Sequence, residues 1–71
     1  MSRGNLRARL EELVAEMVDG GIHMDEAVRE VETHFLRMVL RRHHGNQSKA
    51  AAELGIHRNT LRNKMRRCGL L

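Results

Sequence analysis

The fold is decided by residues 45–70, GNQSKAAAELGIHRNTLRNKMRRCGL. Small residues at 50–51 favour a short helix that a second helix can approach closely, and Gly55 can take the positive φ of a sharp turn. Further on, Leu61 and Met65 recur four residues apart, which predicts a second helix with one apolar stripe. The stretch therefore predicts two short helices joined at Gly55, the arrangement of a helix-turn-helix.

The second of these helices carries polar side chains away from its apolar stripe. On the opposite side of the helical wheel lie Asn59, Arg62, Asn63 and Arg66. Cations that face away from a core can meet a polyanion, and an α-helix fits the major groove of double-stranded DNA. We therefore interpret the helix that begins at Arg58 as a candidate recognition helix.

The length and composition of the chain favour a small, all-α protein. We expect its 71 residues to form a single domain, 1–71, and a chain this short often needs a second copy to bury enough surface. Phe35 is its only aromatic residue, and no proline interrupts a helical pattern. The sequence has neither a membrane span nor a signal peptide, so we expect an intracellular, cytoplasmic protein.

The charge is divided between two halves of the chain. Residues 1–40 hold five arginines and eight acids, a net charge of −3, whereas residues 41–71 hold eight lysines or arginines and only Glu53, a net charge of +7. A basic surface that merely solvates the protein is the simplest explanation of such a run. Together with a helix-turn-helix, however, the positive end favours a nucleic-acid partner.

Two further helices are predicted in the first half of the chain. Leucine, valine and methionine at helical spacing predict one from Asn5, as its N-cap, to about Val18. The next begins near Met24, with acids in its first turn, and continues to His43. We thus expect four helices, with residues 5–44 as a dimerisation unit and 45–71 as the DNA-binding unit.

The two helices of the second half have their own start and stop signals. The third helix is predicted from about Asn46, a capping residue, to Leu54. The fourth starts at Arg58 with His57 at the cap position and stops at Gly69, which fits a Schellman-type end. Cys68 is expected to pack as a small core residue.

The end of the second helix is apolar around much of its circumference, at Phe35, Leu36, Met38, Val39 and Leu40. One amphipathic stripe does not need so many apolar residues, so a second copy of the chain is expected to cover one side. The predicted interface of this homodimer consists of apolar residues of the first two helices. They are Leu10, Leu13, Val14, Met17, Val28, Val31, Phe35, Leu36 and Val39.

Residues 24–70 resemble the Fis family and the related C-terminal output domains of NtrC-type bacterial activators. The resemblance is carried by GNQSKAA, LGIHRNTLRNKM and the final GL, and by the long helix before them. It implies a homodimer in which the first two helices of both chains interlock and each fourth helix enters a major groove. It further implies that the DNA bends, and a role as a transcriptional regulator or nucleoid-associated protein of bacteria.

The resemblance also implies roles for individual residues. Arg58 matches an arginine that reads a guanine edge, while His57 and Asn63 match positions that face bases. The residues that match phosphate contacts are Asn46, Ser48, Thr60 and Arg62. The basic end that grips the flanking backbone comprises Lys64, Arg66 and Arg67. Where Fis has asparagine and lysine, this chain has His57 and Asn63, so we expect a different sequence preference.

Other classes of protein fit the sequence less well. The five histidines, His23, His34, His43, His44 and His57, and Cys68 lack the spacing of a zinc site, so no metal or cofactor is expected. Four short helices offer no obvious catalytic cleft or small-molecule site, which argues against an enzyme. A single-strand binder would need aromatic platforms. Two alternatives stay open: an excised output domain of an NtrC-type activator, and a helical protein-interaction module.

Overall fold

The computed structural model describes residues 3–71, which form four α-helices and no strand. Helix α1 spans Arg3–Asp19, α2 spans Met24–Arg42, α3 spans Gln47–Leu54 and α4 spans Arg58–Arg67. The predicted all-α class with four helices is confirmed. Within these residues, every helix is too short or too polar to cross a lipid bilayer.

The starts of α3 and α4 are capped by the side chains that the sequence indicated. The side-chain oxygen of Asn46 accepts the backbone N–H of Lys49 at 3.0 Å, and Nδ1 of His57 accepts the backbone N–H of Asn59 at 3.2 Å. The predicted cap at Asn5 is wrong, because α1 already begins at Arg3 and encloses that residue. Asparagine is a poor helix former, but its cost relative to alanine is at most about 0.7 kcal/mol, which is too small to prevent the longer helix.

All four helices end with the same hydrogen-bonding pattern. In each case an N–H beyond the helix reaches back five residues to a carbonyl, as Leu70 does to Met65 at 2.8 Å and Ile56 to Ala51 at 3.1 Å. This Schellman ending needs one residue with positive φ. At the end of α3 that residue is Gly55, with φ +71°, as predicted, whereas α2 uses His44, with φ +53°.

The core lies between the second half of α2 and the helix-turn-helix. Ala50 and Ala51 of α3 are fully or almost fully buried, and their small side chains let the neighbouring helices come close. Helices α2 and α4 contribute two buried side chains each. They are Leu36 and Val39 from α2, and Leu61 and Met65 from α4. Cys68 packs against this core, as expected.

The side chains of α1 take no part in the buried core. None of them is buried, and apolar side chains such as Leu10 and Val14 stay 53% and 46% exposed. The second helix is apolar on two sides, as the sequence indicated, with Phe35 and Met38 exposed. The other side of α2 packs against α3 and α4 of the same chain. The core and the open apolar face therefore lie on different sides of α2.

Two residues of the predicted dimer interface lie in the core instead. Leu36 and Val39 are 2% and 5% exposed and pack against α3 and α4 of the same chain. Sequence spacing could not tell which apolar side of α2 receives the helix-turn-helix, because both sides have helical periodicity. An interface between copies would therefore draw on the remaining seven residues of that set.

Candidate nucleic-acid interface

Helix α4 turns one side into the core and the other to solvent. Leu61 is fully buried and Met65 is 6% exposed. The exposed residues of the helix are Arg58, Asn59, Thr60, Asn63, Arg66 and Arg67, and Arg62 is half-exposed. The side chains of Leu61 and Met65 thus set which residues of α4 an external partner can reach.

Three arginines of α4 have no acidic partner within the structure. Across residues 3–71, no carboxylate lies within ion-pairing distance of Arg58, Arg62 or Arg66. Unneutralised cations on one exposed helix face create a positive potential that attracts anions and falls off over about 10 Å at ordinary salt. This face is suited to a polyanionic ligand.

The other two cations of α4 are tied to α2 by a single carboxylate. Nζ of Lys64 lies 3.1 Å from Oε2 of Glu32, and Nη2 of Arg67 lies 3.5 Å from Oε1. The side chains of Lys64 and Glu32 are each only 27% exposed. Lys64 therefore lies toward the inside of the fold, and Glu32 was not among the residues singled out from the sequence.

A second carboxylate fastens the other end of the helix-turn-helix. Glu53 of α3 lies 3.3 Å from Arg42 and 2.8 Å from His43 at the end of α2. It is the only acid among the last 31 residues. Glu53 thus joins α3 to α2 on a part of the chain that otherwise carries positive charge.

The turn region places the remaining predicted residues near the starts of α3 and α4. Asn46 caps α3, and Ser48 lies exposed in its first turn. The cap made by His57 requires its Nδ1 to be unprotonated, so Nε2 carries the proton of the neutral ring. Helix starts expose backbone N–H groups, which are good ligands for phosphate oxygens.

Comparison with known proteins supports this reading of the geometry. A family model described as "Bacterial regulatory protein, Fis family" matches residues 27–67, which contain most of α2 and the whole helix-turn-helix. The chain belongs to the Fis family of bacterial regulatory proteins. The resemblance found in the sequence is therefore confirmed, and this family consists of regulators rather than enzymes.

Individual Fis-family relatives match over most of the chain. A protein of Xylella fastidiosa strain Temecula1, whose name describes it as Fis-like and DNA-binding, is 41% identical over all of this chain and 90% of its own length. DNA-binding protein Fis of Mannheimia haemolytica is 34% identical over 96% of this chain and 71% of its own. No solved structure matches the chain significantly.

A much longer relative also matches this chain. DNA-binding transcriptional regulator NtrC of Azospirillum brasilense is 46% identical over 70% of this chain but over only 10% of its own length. The matched segment is therefore a minor part of that longer protein. Among the described residues, no three His, Cys, Asp or Glu side chains are arranged to hold a metal ion.

The two pairs made by Glu32 predict a measurable contribution to stability. We expect Glu32→Gln to lower the free energy of unfolding by about 1 kcal/mol, because half-buried Lys64 loses its counter-charge and exposed Arg67 loses a weaker pair. Denaturant unfolding at matched protein concentrations measures this change. The matched control is Glu30→Gln, since within residues 3–71 Glu30 pairs only with His34 and both side chains are exposed. Equal effects of the two substitutions would contradict the role assigned to Glu32.

Proposed function

We propose that this chain is a homodimeric DNA-binding protein of Fis type that inserts α4 into the major groove, bends the duplex, and acts as a transcriptional regulator or nucleoid-associated protein. The observation that carries the proposal is the row of unpaired arginines on α4, which lies outside the stripe that is fixed in the core. Membership of the Fis family and the names of the relatives point to the same partner.

The proposed DNA contacts of α4 are of two kinds, contacts to base edges and contacts to phosphates. Arg58 stands at the start of the helix, where recognition helices meet base edges, and its guanidinium can bond both acceptors of a guanine. Arg62 and Arg66 follow at one-turn intervals and can reach the phosphate wall of the groove. Asn46 and Ser48, at the start of α3, offer a second phosphate contact through side chains and backbone N–H groups.

The contacts of Lys64 and Arg67 lead us to revise the proposed set of DNA-binding residues. Lys64 is held by Glu32 and lines an apolar groove between α1, α2 and the helix-turn-helix, on the other side of α4 from Arg62. Arg67 shares the same carboxylate but keeps a 64% exposed side chain. We therefore assign Lys64 to holding α4 on α2, and we keep Arg67 as a flanking contact of secondary weight.

The proposed dimer rests on apolar surface that a single chain leaves uncovered. Val28, Val31 and Phe35 of α2 are 53%, 47% and 60% exposed, and the apolar residues of α1 are similarly open. They border a groove of about 700 Å³ whose walls are mostly apolar. Contiguous apolar surface of this kind is typical of an interface, and an 8.2 kDa chain gains much from a second copy.

The proposed bend follows from the resemblance to Fis. In that family the two recognition helices of a dimer lie closer together than one turn of straight B-DNA, so the duplex must curve for both to enter their grooves. The cost of such a bend is of order 1–6 kcal/mol and depends on sequence. Binding by this chain is therefore expected to favour flexible DNA between two half-sites.

A second candidate function is favoured by the match to NtrC of Azospirillum brasilense. In this alternative the chain serves as the DNA-binding output domain of a larger NtrC-type activator. In both cases the helix-turn-helix would bind double-stranded DNA. The two functions differ in what controls binding, so the length of the native polypeptide in its own cell decides between them.

The experiment that tests DNA recognition compares two arginines of α4. We expect Arg58→Ala to reduce the preference for a specific site over random duplex roughly five- to hundredfold, because it removes a base contact worth about 1–3 kcal/mol. Arg62→Ala should weaken binding to both duplexes equally, since a phosphate contact carries no sequence information. Mobility-shift titrations on a footprinted site and on random duplex give both ratios.

The matched control for these titrations is Arg7→Ala, because Arg7 pairs with Glu11 on the exposed side of α1. It should leave the preference for the specific site unchanged. If Arg58→Ala lowers affinity for specific and random duplexes by the same factor, Arg58 does not read a base. If the unmodified protein binds neither duplex, the proposed function is wrong.

The proposed dimer predicts that substitutions at two nearby residues of α2 change the dimer dissociation constant differently. Phe35→Ser should raise the dimer dissociation constant at least tenfold, because each protomer loses burial of an aromatic ring worth about 2 kcal/mol. Arg37→Ser, two residues away and on the other side of α2, should leave it unchanged. Sedimentation equilibrium measures both constants. A wild-type protein that is monomeric at micromolar concentration would contradict the dimer.

A further inference from the structure

Two amides lie on the side of α4 that faces away from the core. Asn63 is two residues away from both Leu61 and Met65, and at 100° per residue it lies about 160° round the helix from each of them. Asn59 lies one turn earlier on the same line. Since Leu61 and Met65 are the buried residues of α4, Asn63 points most directly away from the core, and Asn59 and Arg67 lie about 40° to either side of it. Arg67 is paired with Glu32, so Asn59 is the outward residue beside Asn63 that has no ion pair.

Arginines flank this line of amides on both sides. Arg62 and Arg66 follow one edge of it, and Thr60 and Arg67 follow the other, as the helical repeat requires. When a helix lies in the major groove, its outermost residues meet the floor of base edges and its flanks meet the phosphate walls. The pattern of α4 therefore places amides over bases and mostly cations over phosphates.

Both amides are available for such a contact. Asn59 and Asn63 are exposed, and within residues 3–71 neither side-chain amide makes a hydrogen bond. An asparagine amide offers one acceptor and one donor side by side. In the major groove, adenine offers the complementary pair, N7 as acceptor and N6–H as donor, whereas guanine offers two acceptors.

We propose that Asn59 and Asn63 are specificity-determining residues that read adenines in the half-site whose guanine is read by Arg58. The inference rests on the proposed function, because it assigns bases to the same recognition helix. Four residues of helix span about 6 Å, and successive bases on one strand are about 3.4 Å apart. The two adenines should therefore lie within about two base steps of each other.

The test uses base analogues in a half-site obtained by selection from random duplexes with the purified protein. Replacing one adenine of that half-site by 7-deazaadenine removes the N7 acceptor and preserves Watson–Crick pairing. For the adenine read by Asn63, we expect the affinity of the wild-type protein to fall roughly five- to hundredfold. For Asn63→Ala, the same replacement should change affinity less than twofold, because the partner amide is already absent. Asn59→Ala should behave likewise at the second adenine.

The controls separate failure of this inference from failure of the proposed function. Asn5→Ala, an asparagine of α1, should respond to 7-deazaadenine as the wild type does. Exposed asparagine-to-alanine changes in α4 preserve the fold, which an unchanged unfolding midpoint verifies.

If 7-deazaguanine opposite Arg58 weakens binding but 7-deazaadenine is tolerated everywhere, the adenine assignment is overturned while DNA recognition by α4 stands. A selected half-site without adenine would overturn it equally. If selection enriches no sequence and all analogues bind alike, the specific recognition proposed for α4 fails, and the adenine assignment fails with it.

Discussion

The burial of Leu61 and Met65 against α2 is the constraint on which the rest of the structure depends. These two side chains fix the rotation of α4 about its own axis, and a rotation by one residue would carry the outward line 100° round the helix. The alanines of α3 make this docking possible, because larger side chains at Ala50 or Ala51 would push α4 away from α2. The exposed face of α4 is therefore a consequence of core packing.

Two carboxylates refine the position that the core sets. Glu32 holds α4 through Lys64 and Arg67, and Glu53 holds α3 through Arg42 and His43. Each contact joins residues from different helices, so it resists rotation or sliding of the helix-turn-helix on α2. Both carboxylates also neutralise cations beside the core. Within residues 3–71, Arg58, Arg62 and Arg66 of α4 have no such partner. The five cations of α4 thus differ in their pairing: those that face α2 are paired with a carboxylate, and the others are not.

Much of this architecture could be predicted from local sequence rules. The bounds of α3 and α4, the turn at Gly55 and the inward stripe at Leu61 and Met65 follow from capping residues and helical spacing, which act over a few residues. The role of Glu32 could not be predicted, because its partner Lys64 lies 32 residues away in the chain. Long-range pairs depend on how helices pack, and spacing within one helix carries no information about that packing.

The same limit explains why sequence spacing did not predict that Leu36 and Val39 are buried within the chain. Helix α2 has apolar residues on two sides, and only the packing of α3 and α4 decides which side becomes core and which remains open. The open side, with Phe35, then becomes the candidate surface for a second copy. The residues of α4 were easier to assign, because a single apolar stripe leaves only one outward face.

The salt dependence of DNA binding tests the orientation of α4 most directly. With about four phosphate contacts in each chain of a dimer, log K should fall against log salt concentration with a slope of about −7. Arg62→Gln should reduce the magnitude of this slope by about 2, since each protomer loses one contact, whereas Lys64→Gln should leave it unchanged. The opposite result, a slope reduced by Lys64→Gln and unaffected by Arg62→Gln, would show that the inner and outer faces of α4 have been assigned the wrong way round.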